Sequence, residues 1–232
     1  VREMTVKSGQ KCTAIRRILV PAELYDAAAE AIGAKLKGVT VGNPRNESVR
    51  MGALVSRAQM NAVSEGLQAL SAQAGVLYDG RNTPLIDAEP SVAACIGPVL
   101  LGARDADAAQ RVHDVEVFGP VATLLPYRDL AHGIALAHRG QGSLVTSLYG
   151  SDDAALAQAA LAVAPSHGRV HVITPEVAQA HTGHGNVMPM SLHGGPGRAG
   201  GGAELGGLRA LDFYHRRSAV QASPGVLAAL GL

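Results

Sequence analysis

Apolar residues along this 232-residue chain fall into short unbroken runs separated by longer stretches of helical spacing. Arg16-Arg17-Ile18-Leu19-Val20 reads as a strand, closed by Pro21, whose missing N–H cannot continue a ladder. Residues 22–37 read as a helix, with Leu24, Ala28, Ile32 and Leu36 on one stripe and Gly38 just beyond its end. A second long helix is predicted from Ser56, a suitable N-cap, to about Gly75, with Met60, Val63, Leu67 and Leu70 at helical spacing. Further strands are predicted at 99–101, 121–125, 144–149 and 169–173. Helical stretches near 106–112, 130–138 and 152–162 lie between them. Strand and helix alternate, so the expected fold class is α/β with a mostly parallel sheet flanked by helices.

Two regions break this rhythm. Gly42-Asn43-Pro44-Arg45-Asn46 is a loop by its turn residues. After Ile173 the chain turns to Gly, His, Pro and Met, up to Gly202. The run Gly194 to Gly202 has a linker's composition. An amphipathic segment, Glu204 to Leu211, follows it. That favours an ordered loop in which glycines let the backbone approach another group closely. Ser218-Ala219-Val220-Gln221-Ala222 is predicted as a last strand, and residues 212–232 form a tail suited to oligomer contact.

Composition narrows the function classes. Hydrophobic residues are 47% and charged residues 17% of the chain, enough apolar material for a packed core. The net charge is +1, aromatics are 3% and Trp is absent. Without a basic stripe or stacking residues, no nucleic-acid partner is expected. No apolar run reaches the roughly 18 residues of a membrane helix, and no signal peptide is visible. Two cysteines, Cys12 and Cys95, are too few for a disulfide framework, so a cytoplasmic, reducing compartment is expected. The chain opens at Val1 and reads directly into structured sequence, as a piece of a longer protein would.

Cys12 is the sharpest chemical feature. It follows Gly9-Gln10-Lys11, where a short turn precedes the strand, and Lys11, Arg16 and Arg17 bring positive charge nearby in sequence. Cations lower a thiol's pKa and raise its thiolate fraction. Taken alone, a cysteine is more often a buried, inert residue. Cys95 reads as structural. His181, His184 and His193 invite a metal reading, but their spacing matches no zinc framework, so no metal is expected. His167 and His171 flank or fill a strand.

The residues around Cys12 change its odds. Gly9-Gln10-Lys11-Cys12-Thr13-Ala14-Ile15-Arg16-Arg17-Ile18-Leu19-Val20-Pro21 resembles the catalytic-cysteine segment of the aldehyde dehydrogenase superfamily. Gly42-Asn43-Pro44 with Met51-Gly52-Ala53-Leu54-Val55-Ser56 resembles that family's next block. Glu116-Val117-Phe118-Gly119-Pro120-Val121 resembles its cofactor-contacting motif. The glycine run ending in Glu204-Leu205-Gly206-Gly207 resembles its closing block. Four matches in order span nearly the whole chain. The resemblance implies that residues 1–211 are the catalytic domain and that Cys12 is the thiol nucleophile. It further implies that Glu116 accepts hydrogen bonds from the nicotinamide ribose of NADP or NAD, with Phe118 packed beside it. A homo-oligomer is implied as well.

The closing block departs from the common family form. His193-Gly194-Gly195-Pro196-Gly197-Arg198-Ala199-Gly200-Gly201-Gly202 is similar to the block of one subgroup, the CoA-linked semialdehyde dehydrogenases of aerobic phenylacetate and benzoate degradation. One type there is fused to an enoyl-CoA hydratase domain and the other is not. The expected reaction is oxidation of an aldehyde, as a CoA-linked semialdehyde, to the acid through a thiohemiacetal and a thioacyl-enzyme. By the same resemblance, the Rossmann-type half, the glutamate general base and the oxyanion asparagine belong upstream of Val1, and this chain alone is expected to be inactive. The competing readings are an inactive or interaction-only fragment, a CoA-acylating enzyme, and a dehydrogenase of a simple semialdehyde.

Overall fold

The computed structural model describes residues 1–188, 191–205 and 207–231. Gly206, in the glycine block noted above, lies outside them. A short helix α1 (Arg2–Thr5) leads through a turn to β1 (Arg17–Pro21). Helix α2 (Tyr25–Leu36) follows a 3-10 turn at Ala22–Leu24, so the predicted helix is present but its first turn is tighter. Short β2 (Val41–Gly42) precedes α3 (Arg57–Ser71). The Ser56 hydroxyl accepts the Gln59 N–H at 3.1 Å, which caps α3 as the sequence predicts. The helix stops four residues before the predicted Gly75. Its apolar spacing ends at Leu70, whose carbonyl accepts from both Gln73 and Ala74, and the chain turns out there.

Gly75 instead opens β3 (Gly75–Asp79), an unpredicted strand, followed by β4 (Leu85–Ile86) and β5 (Val99–Gly102). Helix α4 (Gln110–Asp114) is shorter than the predicted 106–112 stretch, because the Asp105 carboxylate accepts the Ala108 N–H at 3.0 Å and holds that segment in a turn. Then come β6 (Val121–Tyr127), α5 (Leu130–His138), β7 (Ser143–Tyr149), α6 (Asp153–Val163) and β8 (His167–Ile173).

Four of these strands form the main sheet, in the order β1-β6-β5-β3, parallel except for the antiparallel β3, and β2 pairs with β4 apart from it. Side chains alternate across it, as the two-residue strand period requires. Leu100, Ala122 and Leu124 pack with Tyr25 and Leu36 of α2 and with Met4. Val99, Leu101, Val121 and Leu125 pack the other way, with Val63, Leu67 and Leu70 of α3 and Val112 of α4. Both faces are therefore covered, the usual state of a parallel sheet. Each fully buried leucine contributes roughly 1.5–3 kcal/mol.

Strands β7 and β8 make a separate parallel pair, joined through α6. Beyond them lie β9 (His193–Gly195) and β10 (Gly200–Gly202), an antiparallel hairpin closed by a 3-10 turn at Gly197–Ala199. The glycine run is thus an ordered loop. A Cβ at Gly168 would collide with the Gly194 carbonyl oxygen, so glycine there lets the hairpin lie directly on β8. Helices α7 (Ala210–Tyr214) and α8 (Pro224–Ala229) end the chain. The strand predicted at 218–222 is not formed. Those residues are exposed and irregular, with no ladder partner among the described residues. No helix among the described residues is long and apolar enough to cross a membrane.

Candidate active site

Cys12 sits at the tip of a tight turn, in which the Ala14 N–H bonds the Lys11 carbonyl at 2.9 Å. It is exposed, while Ser8, Gly9 and Thr13 around it are buried. The loop before it holds left-handed backbone at Lys7, Ser8 and Gly9 (φ 54°, 55° and 68°). Two non-glycine residues in that region cost free energy and persist only when their surroundings fix them. The fixing contacts are visible. The Ser8 hydroxyl donates to the Gly52 carbonyl at 2.7 Å, and the Gln10 amide oxygen accepts the Val55 N–H at 2.9 Å. The segments 8–12 and 51–56, adjacent blocks of the family pattern, are therefore bonded to each other.

The Glu116 motif meets the same loop. At Gly9 a Cβ would collide with the Gly119 carbonyl, so the nucleophile loop rests directly on the Gly119-Pro120 turn. Arg16 ties the two together. Its guanidinium donates to Gly9 O and Gly119 O, both at 2.7 Å, and lies 5.4 Å above the Phe118 ring, within cation–π range. Its Nε lies 3.6 Å from a Glu116 carboxylate oxygen, an ion pair too long to be a hydrogen bond. Burial pulls the Arg16 pKa down, and the Glu116 charge works against that. Glu116 and Phe118 are exposed, whereas Val117 between them is buried, so both side chains face outward on one side of the loop.

The charges beside Cys12 differ from those the sequence suggested. Lys11 turns away to pair with Glu3 at 3.0 Å. Arg16 serves the Glu116 motif. Arg17 enters the interior, donating to Leu136 O at 2.8 Å, Ala137 O at 3.0 Å and His113 Nδ1 at 2.9 Å. Burial, with Arg198 and Arg139 adding repulsion, pulls the Arg17 pKa down to about 10. The groups that do face the thiol come from far along the chain. His193 of β9 brings Nε2 to 3.7 Å from Cys12 Sγ, within reach of a hydrogen bond involving sulfur. Arg169 of β8 donates to the Asn186 and His184 carbonyls and lies within electrostatic reach of Cys12. Sequence reasoning assigned neither to the site. Their separations from Cys12 are 157 and 181 residues, so only the fold of β8 and β9 reveals them.

Cys95 is partly buried, and burial pushes its thiol pKa up, opposite to what a nucleophile needs. Arg169, His171, Thr182, Gly183, Asn186 and Ser191 line part of a cavity of about 260 Å³. His184 is buried and its Nδ1 meets the Ser147 hydroxyl at 2.7 Å. Burial holds its pKa down to about 4.

The first three sequence blocks thus meet at the Cys12 loop, and His193, at the head of the fourth, reaches its thiol. Residues 1–220 match the aldehyde dehydrogenase family. The chain is 53% identical over 197 residues to a 3,4-dehydroadipyl-CoA semialdehyde dehydrogenase of Aromatoleum evansii, covering 84% of this chain and 38% of that protein. It is 43% identical over 183 residues to Protein MaoC of Klebsiella aerogenes, covering 78% and 53% respectively. The chain therefore spans about two fifths to one half of the length of these relatives. Among solved structures, betaine aldehyde dehydrogenase from Staphylococcus aureus in complex with NAD+ superposes with a TM-score of 0.76 at 21% identity, over 92% of this chain and 39% of that one. With its sequence blocks in family order and its fold shared, the chain belongs to the aldehyde dehydrogenase family.

Proposed function

We propose that the full-length protein oxidises a CoA-linked semialdehyde to its carboxylic acid, with Cys12 as nucleophile and NAD or NADP as hydride acceptor. The observation that carries this reading is the junction at Arg16, which fastens the Cys12 loop to the Glu116-Val117-Phe118-Gly119-Pro120 turn. It sets the reacting sulfur and an exposed carboxylate-and-aromatic pair on one rigid support.

The sulfur's task follows from the substrate. A planar aldehyde carbon is electrophilic and does not release hydride. When the Cys12 thiolate forms a bond to that carbon, the carbonyl π electrons move to oxygen and the carbon becomes tetrahedral. The Cys12 amide at the turn is a donor suited to that oxyanion. Nicotinamide, when bound, supplies the acceptor for the hydride.

The residues present fit such a cofactor. Glu116 is solvent-facing, and its 3.6 Å spacing from Arg16 leaves carboxylate lone pairs open to two ribose hydroxyls. Phe118 is 38% exposed and offers a flat apolar surface beside that carboxylate. The substrate class rests on likeness to the Aromatoleum relative and on the variant glycine block from His193 to Gly202.

The test is product identification on the full-length protein with a CoA-linked semialdehyde and with a small free one. Acid formed faster from the CoA-linked substrate, with NAD or NADP reduced in equal amount, is the expected result. Preference for the free semialdehyde overturns the substrate class, and a new CoA thioester at the former aldehyde carbon overturns the hydrolytic outcome.

A further inference from the structure

We propose that His193 is the proton acceptor for the Cys12 thiol. The proposal rests on the reading of Cys12 as nucleophile and adds the group that ionises it. Three observations carry it. Nε2 of His193 lies 3.7 Å from Cys12 Sγ. The other ring nitrogen, Nδ1, is buried and unpartnered among the described residues, so Cys12 is the one group this ring is seen to engage. The hairpin that carries His193 is held firmly, with Gly194 of β9 against the backbone of β8 and Gly195 against Ser143 of β7.

The step balances simply. The thiol proton passes to Nε2 and its electron pair stays on sulfur, which then forms the S–C bond to the aldehyde. A neutral imidazole accepts at one nitrogen while the other keeps its proton, so the transfer requires the Nδ1–H tautomer. Arg169 of β8 lies within electrostatic reach of Cys12, its guanidinium donating to the Asn186 and His184 carbonyls. The remaining charged and titratable groups around the pair are Lys11, held by Glu3 of α1, and Glu204, whose carboxylate lies beside Gly201 and Gly202 of β10. His171 and His184 lie behind Arg169, and burial lowers the pKa of both.

The experiment is the pH dependence of Cys12 alkylation by iodoacetamide in the full-length protein, where an S–C bond forms and iodide leaves. It needs neither cofactor nor aldehyde, so it stands apart from the activity itself. In the unsubstituted protein, reactivity is expected to rise at a pH well below the ordinary thiol value of about 8.5. His193→Gln is expected to lower the rate at pH 6.5 on the order of tenfold, and to leave the rate near pH 10 within about twofold. His171→Gln is expected to leave the profile unchanged.

An unchanged profile in His193→Gln overturns the proposal. So does a single inflection near 8.5 in the unsubstituted protein, which decides the question even where the variant fails to fold. Loss of aldehyde oxidation on alkylation, with a profile indifferent to His193, would leave Cys12 as nucleophile and remove His193 alone.

Discussion

The main sheet, parallel but for β3, and the parallel β7/β8 pair are built to opposite ends. In β5 every residue is buried, and in β6 the first five are. Most of β7 and β8 is only half-buried, and the pair displays Ser147, Arg169 and His171 among its apolar residues. The first sheet buries apolar side chains on both faces and supplies stability. The second is a frame for polar groups, and the hairpin stacked on it brings His193 to the thiol. Cys12 stands where the two meet, its loop fastened to the first region by Ser8, Gln10 and Arg16 and its sulfur facing the second.

The largest expected effect comes from removing the sulfur at that seam. Cys12→Ala in the full-length protein is expected to lower aldehyde oxidation by on the order of 10³-fold or more, as loss of a nucleophile does. Steady-state turnover checks this, and Cys95→Ala is expected to retain most of the activity. Comparable losses in both variants would mean that the seam is not the reacting centre.

Next in size is the packing contrast. Leu101→Ala, in a strand without exposure, is expected to cost about 2–5 kcal/mol of stability. Leu148→Ala, on half-buried β7, is expected to cost about 1 kcal/mol, since its site collapses or hydrates more easily. Urea midpoints measure both. Equal costs would erase the distinction between the two sheets.

Much of this division was legible in the chain. The runs at 99–101 and 121–125 are uninterrupted because both faces of their strands are covered, and Ser56 marks the start of α3 by its own side chain. The exposed edge strand β3 was not legible. Its residues Gly75-Val76-Leu77-Tyr78-Asp79 follow a helix without a clear break, and most are exposed, so no alternation betrays them. At the site, Cys12, Glu116 and Phe118 were readable as members of contiguous motifs. Arg16's role as a clamp was not, since nothing local says that a guanidinium at 16 will reach Gly119. His193 reaches the thiol, and Arg169 comes near it, only through long-range packing of β8 and β9.

The first region holds one buried histidine, His113, and the second holds two, His167 and His184, all with pKa values lowered by burial, which gives a comparison by pH. In the first, Arg17 donates to His113 Nδ1 at 2.9 Å, which requires the neutral ring, and burial pulls the His113 pKa down to about 4. In the second, His184 is held at about 4 as well. An unfolded histidine protonates near 6.5. Between 6.5 and 4 the unfolded state therefore holds more protons than the folded one, and stability falls as pH falls. The expected loss from pH 7 to pH 5 is on the order of 1–2 kcal/mol per histidine. His113→Gln and His184→Gln should each remove one share of this slope, read from urea midpoints at the two pH values. A slope untouched by His184→Gln would mean that the second region admits water where the first does not.

The smallest effect tests the fastening of the first region to the Cys12 loop. Ser56 accepts the Gln59 N–H, and next to it Val55 donates to Gln10 in the loop before the thiol. Ser56→Ala leaves the first turn of α3 with an unpaired N–H and is expected to cost about 1 kcal/mol. Because Val55 is the residue before the cap, looser helix ends should reach the loop as well. Hydrogen exchange at the Val55 amide, which bonds Gln10, should then quicken by more than the global loss predicts. Exchange that tracks the global loss alone would mean that the loop is held by Ser8 and Arg16 without help from the cap.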